Sequence, residues 1–226
     1  KIIGLEALVR WQHKEHGVIY PDHFIPLAEQ HGLIGHLTHW VIGKVVQQER
    51  QWQEAGIFVT VSVNISAQDI TSLTLPEQLA ELLADNLLDP TRLILEVTES
   101  ALMGKLVTSL DILTRLRLKG VGLSIDDFGT GYSSLSQLHR VPFTELKIDR
   151  SFVSNMVEDA DARAIVKTCI ILGHELKMYV VAEGVETKEQ FELLKQLKCD
   201  MAQGIFFSKA VSAEKITEMF SGLQRE

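Results

Sequence analysis

Glu6, Asn64, Glu96 and Asp126 offer a ligand only oxygen donors, with no Cys or His among them. Such a set suits a hard cation, Mg²⁺ or Mn²⁺, rather than structural zinc. The neighbours Asp126 and Asp127 suit one carboxylate shared between two ions, with the other serving the second ion. Two ions about 3.5–4 Å apart activate water and stabilise an in-line displacement at phosphorus. Lys147 is a candidate to neutralise the developing phosphoryl charge or to position the attacking water, and Glu183 and Glu186 are candidate bases or second-metal ligands. Arg10 is in alternating step with Glu6 and is placed to grip a phosphate with its fork of donors. Ca²⁺ shares the preference for oxygen but takes six to eight ligands at about 2.3–2.6 Å, against about 2.0–2.1 Å for Mg²⁺. Ca²⁺ is therefore expected to bind and inhibit.

These residues need strands to carry them. Strand-like stretches read at Ile2–Val9, Ile57–Ile65, Leu93–Val97, Val121–Ile125, Glu145–Ile148, Met178–Glu183 and Met201–Phe206. Helical patterns fall between them at Thr38–Ala55, Pro76–Leu87, Leu102–Lys119, Asp161–Leu176, Lys188–Leu197 and Ala213–Leu223. Alternation of this kind implies βαβ units and a largely parallel sheet, and a chain of this length favours a closed (β/α) barrel over an open sheet. Successive strand residues point to opposite faces, so Val59, Val61 and Val63 oppose Thr60, Ser62 and Asn64. By the same count Asn64, Glu96 and Asp126 face inward, and Lys147, Glu183 and Gln203 stand near the ends of their strands. Catalytic groups of (β/α) barrels gather at those C-terminal ends.

The bulk properties narrow the function. The chain has 226 residues, 46% hydrophobic and 23% charged, enough apolar content for a sizeable core. A net charge of −8 argues against a nonspecific surface for duplex DNA, though cations can reverse the charge of an acidic cleft. No apolar run approaches the roughly 18 residues of a membrane span, and no secretory leader is legible. Cys169 and Cys199 lack zinc spacing and read as reduced thiols in a cytoplasmic protein. With Lys1 inside a strand and no internal boundary, residues 1–226 read as a single domain cut from a longer protein. The Asp127-Phe128-Gly129 run resembles a kinase motif, but no lysine strand or catalytic-loop pattern accompanies it. His31, His36 and His39 read as solvated or capping, Trp11, Trp40 and Trp52 as packing between strands and outer helices, and Phe206 and Phe207 as core or the border of a base pocket.

Glu6-Ala7-Leu8 followed by Val9-Arg10-Trp11 resembles the motif that names the EAL-domain cyclic-di-GMP phosphodiesterases. The likeness continues through Phe24–Glu29, Asn64-Ile65-Ser66, Glu96–Ser100, Asp126–Leu135, Lys147-Ile148-Asp149, Ala182–Glu186 and Gln203-Gly204, nearly the whole chain. The resemblance implies a modified (β/α)8, TIM-like barrel that hydrolyses cyclic-di-GMP to the linear dinucleotide with Mg²⁺ or Mn²⁺. It implies a first metal on Glu6, Asn64, Glu96 and Asp126, and a second on Asp126 and Asp127. Glu183 and Lys147 would hold or activate the water, with Glu186 in support, and Arg10, Leu8 and Gln203 would lie on the substrate side. Glu99 would anchor the loop Asp127–Leu135, which in the family touches the second metal and a dimer partner; a homodimer is the family's habit, and the sequence leaves the oligomeric state open. A regulatory domain is expected to precede Lys1.

The sequence departs from the family pattern in three places. It begins past the family's first strand with its Gln-Pro pair, Ile205 stands where an aromatic residue is usual, and Lys209-Ala210-Val211 replaces a proline. Two rival readings weigh against hydrolysis. A module that senses cyclic-di-GMP without cutting it would show a lost metal ligand, and none is lost. Metal-assisted proton abstraction by carboxylates and a Lys base would need a capping domain, and the paired aspartates with Arg10 favour a phosphate diester.

Overall fold

Strands rich in Val, Ile and Leu, separated by amphipathic stretches, give one parallel sheet wrapped by helices. The structure, a computed structural model, describes residues 1–103, 106–130 and 138–223. Its seven-stranded sheet has the order β1 (Gly4–Ala7), β4 (Thr60–Asn64), β5 (Leu93–Thr98), β6 (Gly122–Phe128), β7 (Glu145–Ile148), β8 (Tyr179–Ala182) and β9 (Met201–Ala202). Every neighbouring pair is parallel and the order follows the chain. A doubly wound sheet reverses its order at a switch point, whereas a (β/α) barrel does not. The two ends of the sheet also meet, because the Gln203 amide beyond β9 donates to the Glu6 carboxylate on β1. The sheet is curled and barrel-like, as expected.

The crossovers run through α1 (Pro21–Gln30), α2 (Ile34–Glu54), α3 (Leu75–Asp85), α4 (Glu99–Met103), α5 (Leu106–Leu118), α6 (Arg150–Asn155), α7 (Ala160–Glu175) and α8 (Lys188–Gln196), and α9 (Ala213–Leu223) follows β9. Local chemistry starts the later ones. Asp149 and Asp159 accept the Ser151 and Asp161 backbone N–H groups, and Thr187 with Gln190 forms a capping box. The apolar face of each strand meets these helices, where Val63, Leu95, Leu123 and Leu146 pack with Val46, Leu116 and Val166 in one core. Each such side chain contributes about 1.5–3 kcal/mol of burial. Among the described residues no helix is long and apolar enough to cross a membrane.

The structure corrects several expectations. The strand predicted over Ile2–Val9 stops at Ala7, so Arg10 is not carried in register with Glu6. A small antiparallel hairpin follows instead, β2 (Trp11–His13) with β3 (Gly17–Ile19). The last strand ends at Ala202 rather than Phe206. Trp52 is buried as expected, but Trp11 and Trp40 are half exposed, and Phe206 and Phe207 pack beside Phe191 near the surface. His31, His36 and His39 are exposed.

Candidate active site

The polar face of the curled sheet collects its charge at one end. Glu6 is the penultimate residue of β1, Asn64 the last of β4 and Lys147 the penultimate of β7. Glu96 and Asp126 are each the third residue from the end of β5 and β6, and Glu183 and Gln203 directly follow β8 and β9. Seven neighbouring strands thus each deliver one polar side chain to the same rim.

Lys147 sits at the centre. Its ammonium lies 2.7 Å from Glu183, 2.8 Å from Glu96, 3.4 Å from Asp126 and 3.9 Å from Glu6. Its side chain is 2% exposed and that of Glu96 1%, while Glu6, Asp126 and Glu183 keep 13–17% and form the wetter upper layer. Asn64 Nδ2 donates to Glu6 Oε1 at 2.9 Å, which leaves the amide oxygen of Asn64 as a donor for a cation. Glu6, Asn64, Glu96, Asp126, Lys147, Glu183 and Gln203 are therefore one connected group.

One ammonium cannot balance this many carboxylates. Burial pushes Glu96 up to about 8 and Glu183 up to about 7, against the pull of Lys147 and reinforced by their acidic neighbours. Burial alone would lower the Lys147 ammonium, but Glu96, Glu183, Glu6 and Asp126 more than reverse this and raise it. The cluster thus holds protons where it lacks positive charge, the condition under which a cation binds by displacing protons.

Asp127 enters the site by a break in the strand rule. Strict alternation would turn it away from Asp126, yet its φ is +54° and the β6–β7 register shifts between Ile125 and Phe128. A bulge of this kind re-aims a side chain, and Asp is among the few residues that adopt this conformation cheaply. Donor oxygens of Asp126, Asp127 and Glu183 consequently lie within 4.8 Å of one another. Burial raises the Asp127 carboxyl above the ordinary aspartate range, followed by repulsion from Asp126 and Asp149 and a hydrogen bond with Asp149.

Asp149 stands in the Lys147-Ile148-Asp149 motif, but the sequence alone assigns it no role. It caps α6 through Ser151, which alone would account for an aspartate there, and it also bonds the Asp127 carboxyl. Its signal in the sequence is its place two residues after Lys147, on the same side of an alternating chain.

The surrounding shell is built closely. Glu99, 3% exposed, accepts the Gly129 backbone N–H at 3.2 Å, which ties α4 to the chain leaving Asp127. Residues 131–135 of the Asp127–Leu135 loop lie outside the described residues. A Cβ at Gly204 would lie 2.1 Å from the Val185 carbonyl oxygen, so only glycine lets the chain after Gln203 pass so near the Glu183–Glu186 loop. Glu186 is exposed, and its backbone N–H is held at 2.8 Å by buried Gln190. Arg10 and Leu8 are exposed on the rim beyond β1.

Comparison with known proteins agrees with this arrangement. The family described as "EAL domain" matches residues 1–210. The bifunctional diguanylate cyclase/cyclic di-GMP phosphodiesterase MucR of Pseudomonas aeruginosa is 45% identical over 216 residues, 95% of this chain and 32% of that protein. The oxygen sensor protein DosP of Escherichia coli is 41% identical over 224 residues, 99% of this chain and 28% of that one. The chain thus spans about a third or less of these relatives. Among solved structures, the PaMucR phosphodiesterase in complex with c-di-GMP superposes with a TM-score of 0.91 at 45% identity, covering 96% of this chain and 88% of the other. The EAL enzyme Bd1971, in a form with cAMP and cyclic-di-GMP bound, gives a TM-score of 0.90 at 33% identity, covering 96% and 60%.

Proposed function

The chain belongs to the EAL domain family, and from that premise we propose that it hydrolyses cyclic-di-GMP to the linear dinucleotide 5′-pGpG. The observation that carries the reading is the intact ring of polar groups around Lys147, with Asp127 turned in beside Asp126. We further propose that residues 1–226 are one catalytic domain of a longer protein, regulated by a segment ahead of Lys1. Two free cysteines suit the cytoplasmic setting of this reading.

The donor set fits divalent cations. Glu6, Asn64, Glu96 and Asp126 would hold one ion, and Asp126 and Asp127 a second with Asp149 beside them; Mg²⁺ and Mn²⁺ suit such all-oxygen ligands. When bound, such ions lower the pKa of a water and neutralise charge on phosphate oxygens. The protein's own residues have separate tasks. Glu183, raised to about 7, is tuned to take a proton from the attacking water near neutral pH. Lys147 holds Glu183 at 2.7 Å and Glu96 at 2.8 Å, fixing the base against the ligand set. Water's oxygen bonds to phosphorus, the bond from phosphorus to the 3′ oxygen breaks, and that oxygen leaves with a proton. Arg10, on the rim, would meet the phosphate with Leu8 and Gln203 near the substrate, while Glu99 and Glu186 hold the loops behind Asp127 and Glu183.

The test is conversion of cyclic-di-GMP to 5′-pGpG with Mg²⁺ or Mn²⁺ by the purified chain, alongside Asp126→Asn. The wild type should turn over, and the folded variant should lose nearly all activity. Tight binding of the dinucleotide without turnover in the wild type would instead favour a sensing module.

A further inference from the structure

Tyr20 occupies a position whose own chemistry does not call for an aromatic ring. It is the residue before α1, with extended backbone at φ −85° and ψ 156°, and its side chain makes no capping hydrogen bond. Ser, Thr, Asn or Asp there would satisfy an open N–H of the helix. Burial does not explain the ring either, since Tyr20 is 56% exposed. What the ring does have is a cation: the guanidinium carbon of Arg10 lies 5.0 Å from its centroid.

The hairpin enforces this meeting. Trp11 pairs with Ile19, the terminal pair of β2 and β3, so Arg10 and Tyr20 are the next residues outward on the two arms. Trp11 in turn packs edge-on against Phe24, which is buried in α1, and this fixes the hairpin to the helix. Arg10 Nη1 donates to the Val9 carbonyl at 2.8 Å, and among the described residues that is its one hydrogen bond. The guanidinium is thus held by one edge and one face, with its remaining N–H donors available to an anion.

We propose that Tyr20 is a positioning residue that holds the Arg10 guanidinium for a phosphate of the substrate. The proposal rests on the reading of Arg10 as a phosphate contact. A free arginine loses rotamer freedom when it grips an anion, and a stack made beforehand reduces that loss. A cation–π contact at an exposed site corresponds to about a two- to fivefold change in an equilibrium, and this should appear in substrate binding rather than in the chemical step.

The experiment measures kcat, KM and the equilibrium Kd for cyclic-di-GMP in the 226-residue chain and in Tyr20→Ser, Tyr20→Phe, Arg10→Ala and the Tyr20→Ser/Arg10→Ala double variant. Serine caps helices well, so Tyr20→Ser should fold, which thermal unfolding checks. Expected are KM and Kd raised about two- to fivefold in Tyr20→Ser with kcat unchanged, near wild-type values in Tyr20→Phe, and no further loss from Tyr20→Ser once Arg10 is alanine. Unchanged KM and Kd in Tyr20→Ser, or an equal loss in the Arg10→Ala background, would overturn the proposal. Failure of Tyr20→Phe to restore binding would overturn it too, because the ring face would then not be the active part. If Arg10→Ala itself leaves KM and Kd unchanged, the phosphate reading of Arg10 fails, an outcome distinct from failure at Tyr20 alone.

Discussion

Lys147→Met is the sharpest probe of the site, because it removes the one ammonium that Glu6, Glu96, Asp126 and Glu183 share. Methionine fills a similar volume, so the loss is electrical rather than a cavity. A negative charge left behind beside Glu96 could cost about 3–5 kcal/mol, as when any buried pair is broken. Protonation sets a ceiling, however. From the ordinary glutamate value of 4.5 to pH 7 is 2.5 units, and at about 1.36 kcal/mol per unit the folded state can discharge the site for about 3 kcal/mol. The variant should therefore be about 2–3 kcal/mol less stable at pH 7. Glu96 already holds a proton in the wild type up to about pH 8, so the variant's extra proton goes to a further carboxylate of the ring. The variant's folded state then binds one proton more than the wild type's, and the deficit grows with pH by up to about 1.4 kcal/mol per unit until that group titrates. Mg²⁺ or Mn²⁺ at about 100 times its Kd should return about 2.7 kcal/mol while activity stays lost. Urea unfolding at pH 5.5, 7 and 8, with and without Mn²⁺, measures all three terms. A pH-independent deficit, or a deficit untouched by cation, would refute this account of Lys147 as the counter-charge of a cation site.

Glu99→Ala should leave the fold intact but free the Gly129 N–H, weakening one of two Mn²⁺ affinities in a titration; two unchanged affinities would remove its anchoring role. Ca²⁺ should compete with Mg²⁺, suppressing hydrolysis while still allowing cyclic-di-GMP to bind, since it demands more ligands at longer distance; full activity in Ca²⁺ alone would contradict that. Glu49 lies far from this chemistry in the packing of α2, with both carboxyl oxygens lacking a hydrogen bond among the described residues, and burial pushes it up to about 8 against the pull of Arg92. A folded-state value above the unfolded one means stability falls as pH rises from about 4.5 to about 8. Glu49→Gln should flatten this slope and gain on the order of 3 kcal/mol at pH 8, which paired denaturation curves at pH 5 and pH 8 would check.

The sequence made the site legible where apolar strands carry polar intruders. Asn64, Glu96, Asp126 and Lys147 interrupt runs of Val, Leu and Ile, and a charge in such a run is tolerated only when partners meet it. Strict alternation then fixes the face, and the barrel rule fixes the end. Short elements left no such trace. The hairpin arms Trp11–His13 and Gly17–Ile19 have three residues each, too few for a period, and the Lys14-Glu15-His16 turn between them lacks the usual Asn-Gly signal. α6 spans six residues, and only the Asp149-to-Ser151 cap announces it.

The most instructive failure of the pattern is at Asp127. Period-two reasoning places one of two adjacent aspartates inside and the other out, and it cannot bring both to one site. What joins them is a single backbone event, the φ of +54° at Asp127 with the slipped register against β7. That event is stabilised from outside the strand: Glu99 holds the Gly129 N–H, and Asp149 bonds the Asp127 carboxyl from the start of α6. Neither partner is local in sequence, so no window around Asp126 and Asp127 reveals the bulge. Aspartate tolerates this left-handed backbone better than most residues, and the turn brings a third carboxylate oxygen within 4.8 Å of those of Asp126 and Glu183. The local strain and the distant supports are one device, which is why a substitution at Glu99 should be felt at a cation it does not touch.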